Sequence, residues 1–201
     1  MSQLKLKHSG GNSVIIAGPS SNPAADRTLT LPGNGDGTIL TTANSSLGKV
    51  LQVVQTIKTD QQTIVVSDGN VDIGNFNVNI TPSATSSKIL IHFTISIGGT
   101  DYLALNLVRG STNIIQGNAD GSNRMRCSIA ANQAEAFNPR PHSFSYLDSP
   151  SSTGTLNYKV TADLSNYSNN YTAFINRDKT YDDDNYTMLP TSTLIAMEIG
   201  A

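Results

Sequence analysis

The sequence predicts an all-β fold, a sandwich or barrel of short strands behind an extended N-terminal arm, on three observations over its 201 residues. Short runs that alternate apolar and polar residues recur along residues 47–201, separated by clusters of Gly, Asn, Asp, Ser and Pro. Charged residues are only 14% of the chain, against a typical ~25%. Ser, Thr, Asn and Gly fill the deficit, and the first three favour turns and strands by bonding to nearby backbone. Only Ala130 to Phe137 has a helical look, and it is short, which argues against a βαβ fold. No repeat of fixed period appears, which argues against a solenoid or propeller.

Residues 1–46 read as an arm. They are rich in Gly, Pro, Ser and Asn and carry isolated apolar pieces: Val14-Ile15-Ile16-Ala17, the alternating Thr28-Leu29-Thr30-Leu31-Pro32, and Thr38-Ile39-Leu40-Thr41 after the turn cluster Gly33 to Gly37. These pieces are too sparse to make a core of their own. Val14, Ile15, Ile16, Leu29, Leu31, Ile39 and Leu40 are therefore the candidate anchoring residues, set to pack on a symmetry mate or a neighbouring protein. Lys5, Lys7 and His8 form a small cationic cluster, read as a solvated tail.

Residues 47–201 read as one domain of successive strands. They are Lys49 to Ile57, Gln62 to Ser67, Phe76 to Thr81, Lys88 to Ile97, Tyr102 to Arg109, Asn113 to Gln116, Ser143 to Leu147, Thr155 to Ala162, Tyr171 to Asn176 and Thr193 to Ile199. The strongest is Lys88 to Ile97, with Ile89, Ile91, Phe93, Ile95 and Ile97 on one face and Leu90, His92, Thr94 and Ser96 on the other. Gly98-Gly99 ends it. Leu103, Leu105 and Leu107 share a face, as do Leu156, Tyr158, Val160 and Ala162, and in the last strand Ile195, Met197 and Ile199. Val50 and Leu90 are apolar where a monomer's outer face favours polar groups, so these two, with His92, are the candidate subunit interface.

Reactive chemistry is sparse. A net charge of −2 leaves no basic excess for phosphates, so nucleic acid is not an expected partner. The lone Cys127 excludes an intrachain disulfide. The apolar runs are too short to span a bilayer as a helix, and no secretory leader is apparent, so synthesis in a cytoplasm is expected. His8, His92 and His142 lack a second His at ligand spacing, and Gly33-x-Gly35-x-Gly37 lacks the lysine of a phosphate loop. No catalytic residue, cofactor or enzyme activity is expected. Asp182-Asp183-Asp184 are weak candidates for a calcium ion, without the alternation of an EF-hand loop. Tyr167, Tyr171, Tyr181 and Tyr186, among Asn and Asp, make a candidate ligand surface for host glycans.

Several segments carry a family resemblance. Gly48-Lys49-Val50-Leu51-Gln52-Val53-Val54-Gln55, Ile80 to Leu90, Leu147-Asp148-Ser149-Pro150-Ser151-Ser152 and Leu194 to Ile199 resemble virion structural proteins of marine and cyanobacterial tailed phages. Asp26 to Pro32 resembles the short arm that precedes such domains in tail-fibre-like proteins. The resemblance covers most of residues 12–201 and rests on turns and strands. It implies a jelly-roll-like knob, often a homotrimer, held to the particle by its N-terminus. The sequence has no coiled-coil shaft, which leaves a short fibre, a tail or baseplate knob, or a capsid decoration. The partners so implied are further copies of the chain and other virion proteins (tail, baseplate or major capsid protein), and the location is the virion. The alternatives are a capsid cement protein and a carbohydrate-binding module; a glycoside hydrolase would need two converging carboxylates.

Overall fold

A long antiparallel ribbon, folded back on itself, builds the main body of the protein. The computed structural model describes residues 3–7, 9–11, 13–17, 48–66, 69–121, 123–133, 138–163, 171–180 and 182–200, in two compact units, Met1–Thr42 and Ala43–Ala201. In the first unit β1 (Gln3–Lys7) pairs antiparallel with β2 (Ser13–Ala17), with Leu6 opposite Val14 and Lys5 opposite Ile15. Lys5 and Lys7 thus lie in a hairpin strand, where a free solvated tail was expected.

The second unit holds β3 (Val50–Lys58), β4 (Gln62–Val66), β5 (Val71–Ile80), β6 (Lys88–Gly98), β7 (Thr100–Arg109), β8 (Thr112–Ile115), β9 (Ile129–Gln133), β10 (Arg140–Asp148), β11 (Leu156–Asp163), β12 (Tyr171–Ile175) and β13 (Ser192–Ile199). Their pairing is nested: β3 with β13, β4 with β12, β5 with β11, β6 with β10 and β7 with β9, while β8 adds a hairpin partner to β7. The ribbon closes into two antiparallel sheets. One has the order β3-β13-β6-β12-β4, with β10 on the other edge of β6; the other has the order β5-β11-β7-β8, with β9 also on β7. This is a β-sandwich of jelly-roll type.

The core lies between the sheets. Ile89, Ile91, Phe93, Ile95 and Ile97 of β6 are all fully buried, as the alternation predicted. They meet Leu105 and Leu107 of β7 and Tyr158, Val160 and Ala162 of β11 in one apolar cluster. Phe144 of β10 packs beside Phe93, with ring centroids 6.2 Å apart.

Two local readings change, and a third gains its direction. β5 begins at Val71, not Phe76, because a bulge breaks its period: Ile73 and Phe76 are both buried, and Asn75 between them has φ 57°. Of the stretch with a helical look, Ala130 to Gln133 belong to β9 instead, with Ala131 opposite Leu103, and residues 134–137 lie outside the described residues. The buried methyl of Ala131 suits the narrow space beside β7, so packing overrides propensity. In β13 it is Leu194 and Ala196 that enter the core, whereas Ile195, Met197 and Ile199 share the half-buried outer face.

Polar side chains stitch the sheets together at one seam. The inward residues of β3 donate to carbonyls of β5 and of Thr81 just after it: Gln52 Nε2 to Thr81 O at 2.7 Å, Thr56 Oγ1 to Asn77 O at 2.6 Å and Lys58 Nζ to Gly74 O at 2.8 Å. Lys58 is buried and also meets Asp60 at 2.7 Å. An edge strand's unpaired backbone is thereby satisfied by side chains. Glu198 is buried at the end of β13, where it accepts from Gln52, from the Ser83 amide and hydroxyl, and from Ser87 at 2.6–2.7 Å. Burial pushes its carboxyl up, but these donors win and hold it at about 2. Across the sandwich, Asp148 accepts from the Tyr158 hydroxyl at 2.7 Å and from Arg109 at 2.5 Å. Burial and the adjacent carboxylate push the Tyr158 phenol upward.

The chain passes from one sheet to the other at Gly98-Gly99. A Cβ on Gly98 would stand 2.3 Å from the Arg177 carbonyl oxygen, and Gly99 has φ 50° with Lys179 against it. Gly98→Ala is expected to lower stability by about 2–4 kcal/mol in urea unfolding, since backbone has to move to admit the methyl.

Glu198 fixes an acid limb. Its folded pKa lies below the ordinary 4.5, so its stabilisation is present above that value and is lost as pH falls from 4.5 toward 2. Unfolding curves collected across that window are expected to show this slope in the wild type and a flatter one in Glu198→Gln.

Candidate interaction surface

The two sheets differ sharply on their outer faces. On the five-stranded sheet, β5 and β11 present Asp72, Asn77, Asn79, Asn157 and Lys159 outward. Asn157 bridges Asn77 and Asn79 at 3.1 and 2.8 Å, and Lys159 pairs with Asp72. That is an ordinary hydrated sheet face. The six-stranded sheet instead turns Leu51 (48% exposed), Val53 (56%), Ile57 (56%) and Leu147 (45%) outward, with Val50 (55%) at the start of β3.

Registry explains how these residues join. Val53 is opposite Met197, Met197 opposite Leu90, and Leu90 opposite Leu147. One apolar row therefore crosses β3, β13, β6 and β10. The next row is Gln55, Ile195, His92 and Ser145, and the one beyond it is Ile57, Thr193, Thr94 and Ser143. Val50 pairs with Ile199 past a register shift at the far end. Four of the polar members are partnered in pairs: His92 Nδ1 lies 2.8 Å from Ser145 Oγ, and Thr94 Oγ1 lies 2.8 Å from Ser143 Oγ. Lys88, opposite Ile199, is the charged residue at the border.

Val50, Leu90 and His92 thus sit together on this face. The sequence signal missed Leu51, Val53, Ile57, Leu147 and Met197, because alternation identifies two faces of a strand without saying which one is covered. Of the candidate anchors, Val14, Ile15 and Ile16 lie in β2, opposite Leu6, Lys5 and Leu4; Leu29, Leu31, Ile39 and Leu40 lie outside the described residues. Tyr171 opens β12, and Tyr167 and Tyr181 lie outside the described residues. Tyr186 is highly exposed and lines, with Asn138, Asn185 and Met188, an open cavity of about 460 Å³.

Asp182, Asp183 and Asp184 are exposed on the wall of a neighbouring cleft. Asp184 accepts from the Tyr186 amide at 2.8 Å, as a turn-forming side chain does. Among the described residues no group of three or more His, Cys, Asp or Glu is placed to hold a metal ion. Cys127 is half-buried, and burial, with Asp163 nearby, pushes its thiol upward, away from the reactive thiolate. No described helix is long and apolar enough to cross a membrane.

No known protein-family profile matches the chain, and no curated protein matches it by sequence. Among solved structures it is similar to that of the Gx strain of infectious bursal disease virus (16% identity, 93% of this chain and 47% of that one, TM-score 0.37). It is also similar to the D431N mutant VP2 protein of the same virus in T=1 particles (16%, 92% and 45%, TM-score 0.36), and to the Gt strain (16%, 95% and 48%, TM-score 0.36). The chain spans about half the length of the chains it matches.

The loop geometry gives one expectation. EDTA or millimolar calcium should leave the thermal midpoint and the native mass unchanged; a shift that Asp183→Asn removes would restore the Asp182–Asp184 loop as a cation site.

Proposed function

We propose that this chain is a structural, non-enzymatic component of a virus particle that works by self-association and docking. The observation that carries the reading is the apolar outer face of the six-stranded sheet, which is costly to leave in water. The likeness of residues 48–55, 80–90, 147–152 and 194–199 to tailed-phage virion proteins directs that assembly to a phage particle. In this reading three copies form a short knob. The arm of residues 1–46 anchors the knob to tail, baseplate or head proteins. The exposed Tyr186 beside its cavity favours a contact with host surface glycans. The same arm would serve a capsid cement protein by stapling neighbouring head subunits.

Antiserum raised against residues 47–201 should label purified particles at one defined position, head or tail. Protein found in the infected-cell lysate but absent from purified particles would refute the virion role. Retention of a chain lacking residues 1–46 on particles would refute anchoring by the arm.

A further inference from the structure

We infer that the outer face of β3, β13, β6 and β10 is the surface through which copies of this chain associate with one another. The inference deepens the self-association just proposed by naming the face that serves it.

Three features select a second copy as the occupant. The first is charge. From Val53 to Leu147 and from Gln55 to Ser145 the face carries no carboxylate, lysine or arginine, and Lys88 stands at its border. A surface without charge meets its own copy without like-charge repulsion, whereas a face for a charged partner would show the complementary sign. The second is desolvation. His92 Nδ1 and Ser145 share one hydrogen bond, as do Thr94 and Ser143, so part of the polar capacity of the face is met within it and less is left to be desolvated on contact. The third is extent. Leu51, Val53, Ile57, Leu147 and Val50, with the half-exposed Leu90, Ile195, Met197 and Ile199 between them, offer roughly 500 Å². With their polar rim they approach the ~800 Å² that each partner contributes to a standard interface. The opposite sheet of the same molecule, covered by an amide ladder and the Lys159–Asp72 pair, shows what this fold places against water.

Native mass by multi-angle light scattering at tens of micromolar tests the inference, with wild type, Val53→Glu and Met197→Glu compared. Met197 is half-buried and Val53 is exposed at the sheet edge, so thermal unfolding of each variant separates lost assembly from lost fold. The expected result is a wild-type mass that is an integral multiple of the chain mass. Val53→Glu should still unfold cooperatively, at a midpoint no longer dependent on protein concentration, and run at the mass of one chain, a shift of at least tenfold in dissociation constant. As a second readout, Leu147→Cys in a Cys127→Ser background should form disulfide-linked or bis-maleimide-linked chains, and Asn79→Cys on the opposite sheet should not. A wild-type multimer that Val53→Glu leaves intact, with cross-links only from Asn79→Cys, would overturn this face while leaving self-association standing. A wild-type monomer that still incorporates into particles would overturn self-association, face included, and leave the virion role. A monomer absent from particles would overturn both.

Discussion

β6 is paired along both of its edges, and burial of its inward side chains is the interaction on which the rest of the body depends. β13 and then β12 occupy one edge, and β10 occupies the other. Its five inward side chains are withdrawn completely from water, each contributing on the order of 1.5–3 kcal/mol of transfer free energy. A strand so placed cannot slip by one residue without turning Ile89, Ile91, Phe93, Ile95 and Ile97 outward. Its register therefore sets that of its neighbours. The bend at Gly98-Gly99 then carries the chain directly into the second sheet, so the same segment also fixes how the two sheets meet.

A sandwich of two open sheets leaves strand edges to be dealt with, and this chain does so with polar side chains. Gln52, Thr56 and Lys58 face inward from β3 and bond carbonyls of β5 and of Thr81 just after it. Asn176, in the left-handed conformation that Asn tolerates, donates to the carbonyls of Lys58 and Asp60 and accepts from Ser192. Glu198 collects the donors of the loop between β5 and β6. Each buried polar group named here has its partner, so the low charge of the chain coexists with a fully satisfied seam. The expense of burying Lys58 and Glu198 is offset locally by hydrogen bonds rather than by distant charges.

This arrangement separates two tasks. The five-stranded sheet carries an amide-rich outer layer over β5 and the start of β11, and the six-stranded sheet presents rows of Val, Leu, Ile and Met. Burial pushes the Cys127 thiol upward, and the Asp182–Asp184 loop is organised by its own hydrogen bonds. The six-stranded sheet leaves apolar side chains exposed beside hydroxyls that are paired with one another or with His92.

Periodicity alone determined the all-β class, the inward face of β6, and the inward faces of β7 and β11, because a period of two leaves one physical solution for a half-buried strand. It failed where the period is broken or ambiguous. The bulge at Asn75 hid the first part of β5, and the alanines of β9 resemble helix until β7 lies beside them. β13 offered two apolar faces, and only its neighbours decided that Leu194 and Ala196 go inward while Met197 joins Val53, Leu90 and Leu147. The nested pairing is a matter of contacts distant in sequence, so no local pattern could reveal it. The sequence by itself thus determined which residues alternate, and tertiary structure decided which of two apolar faces is the core and which is left exposed, since burial belongs to the packed whole and not to the strand.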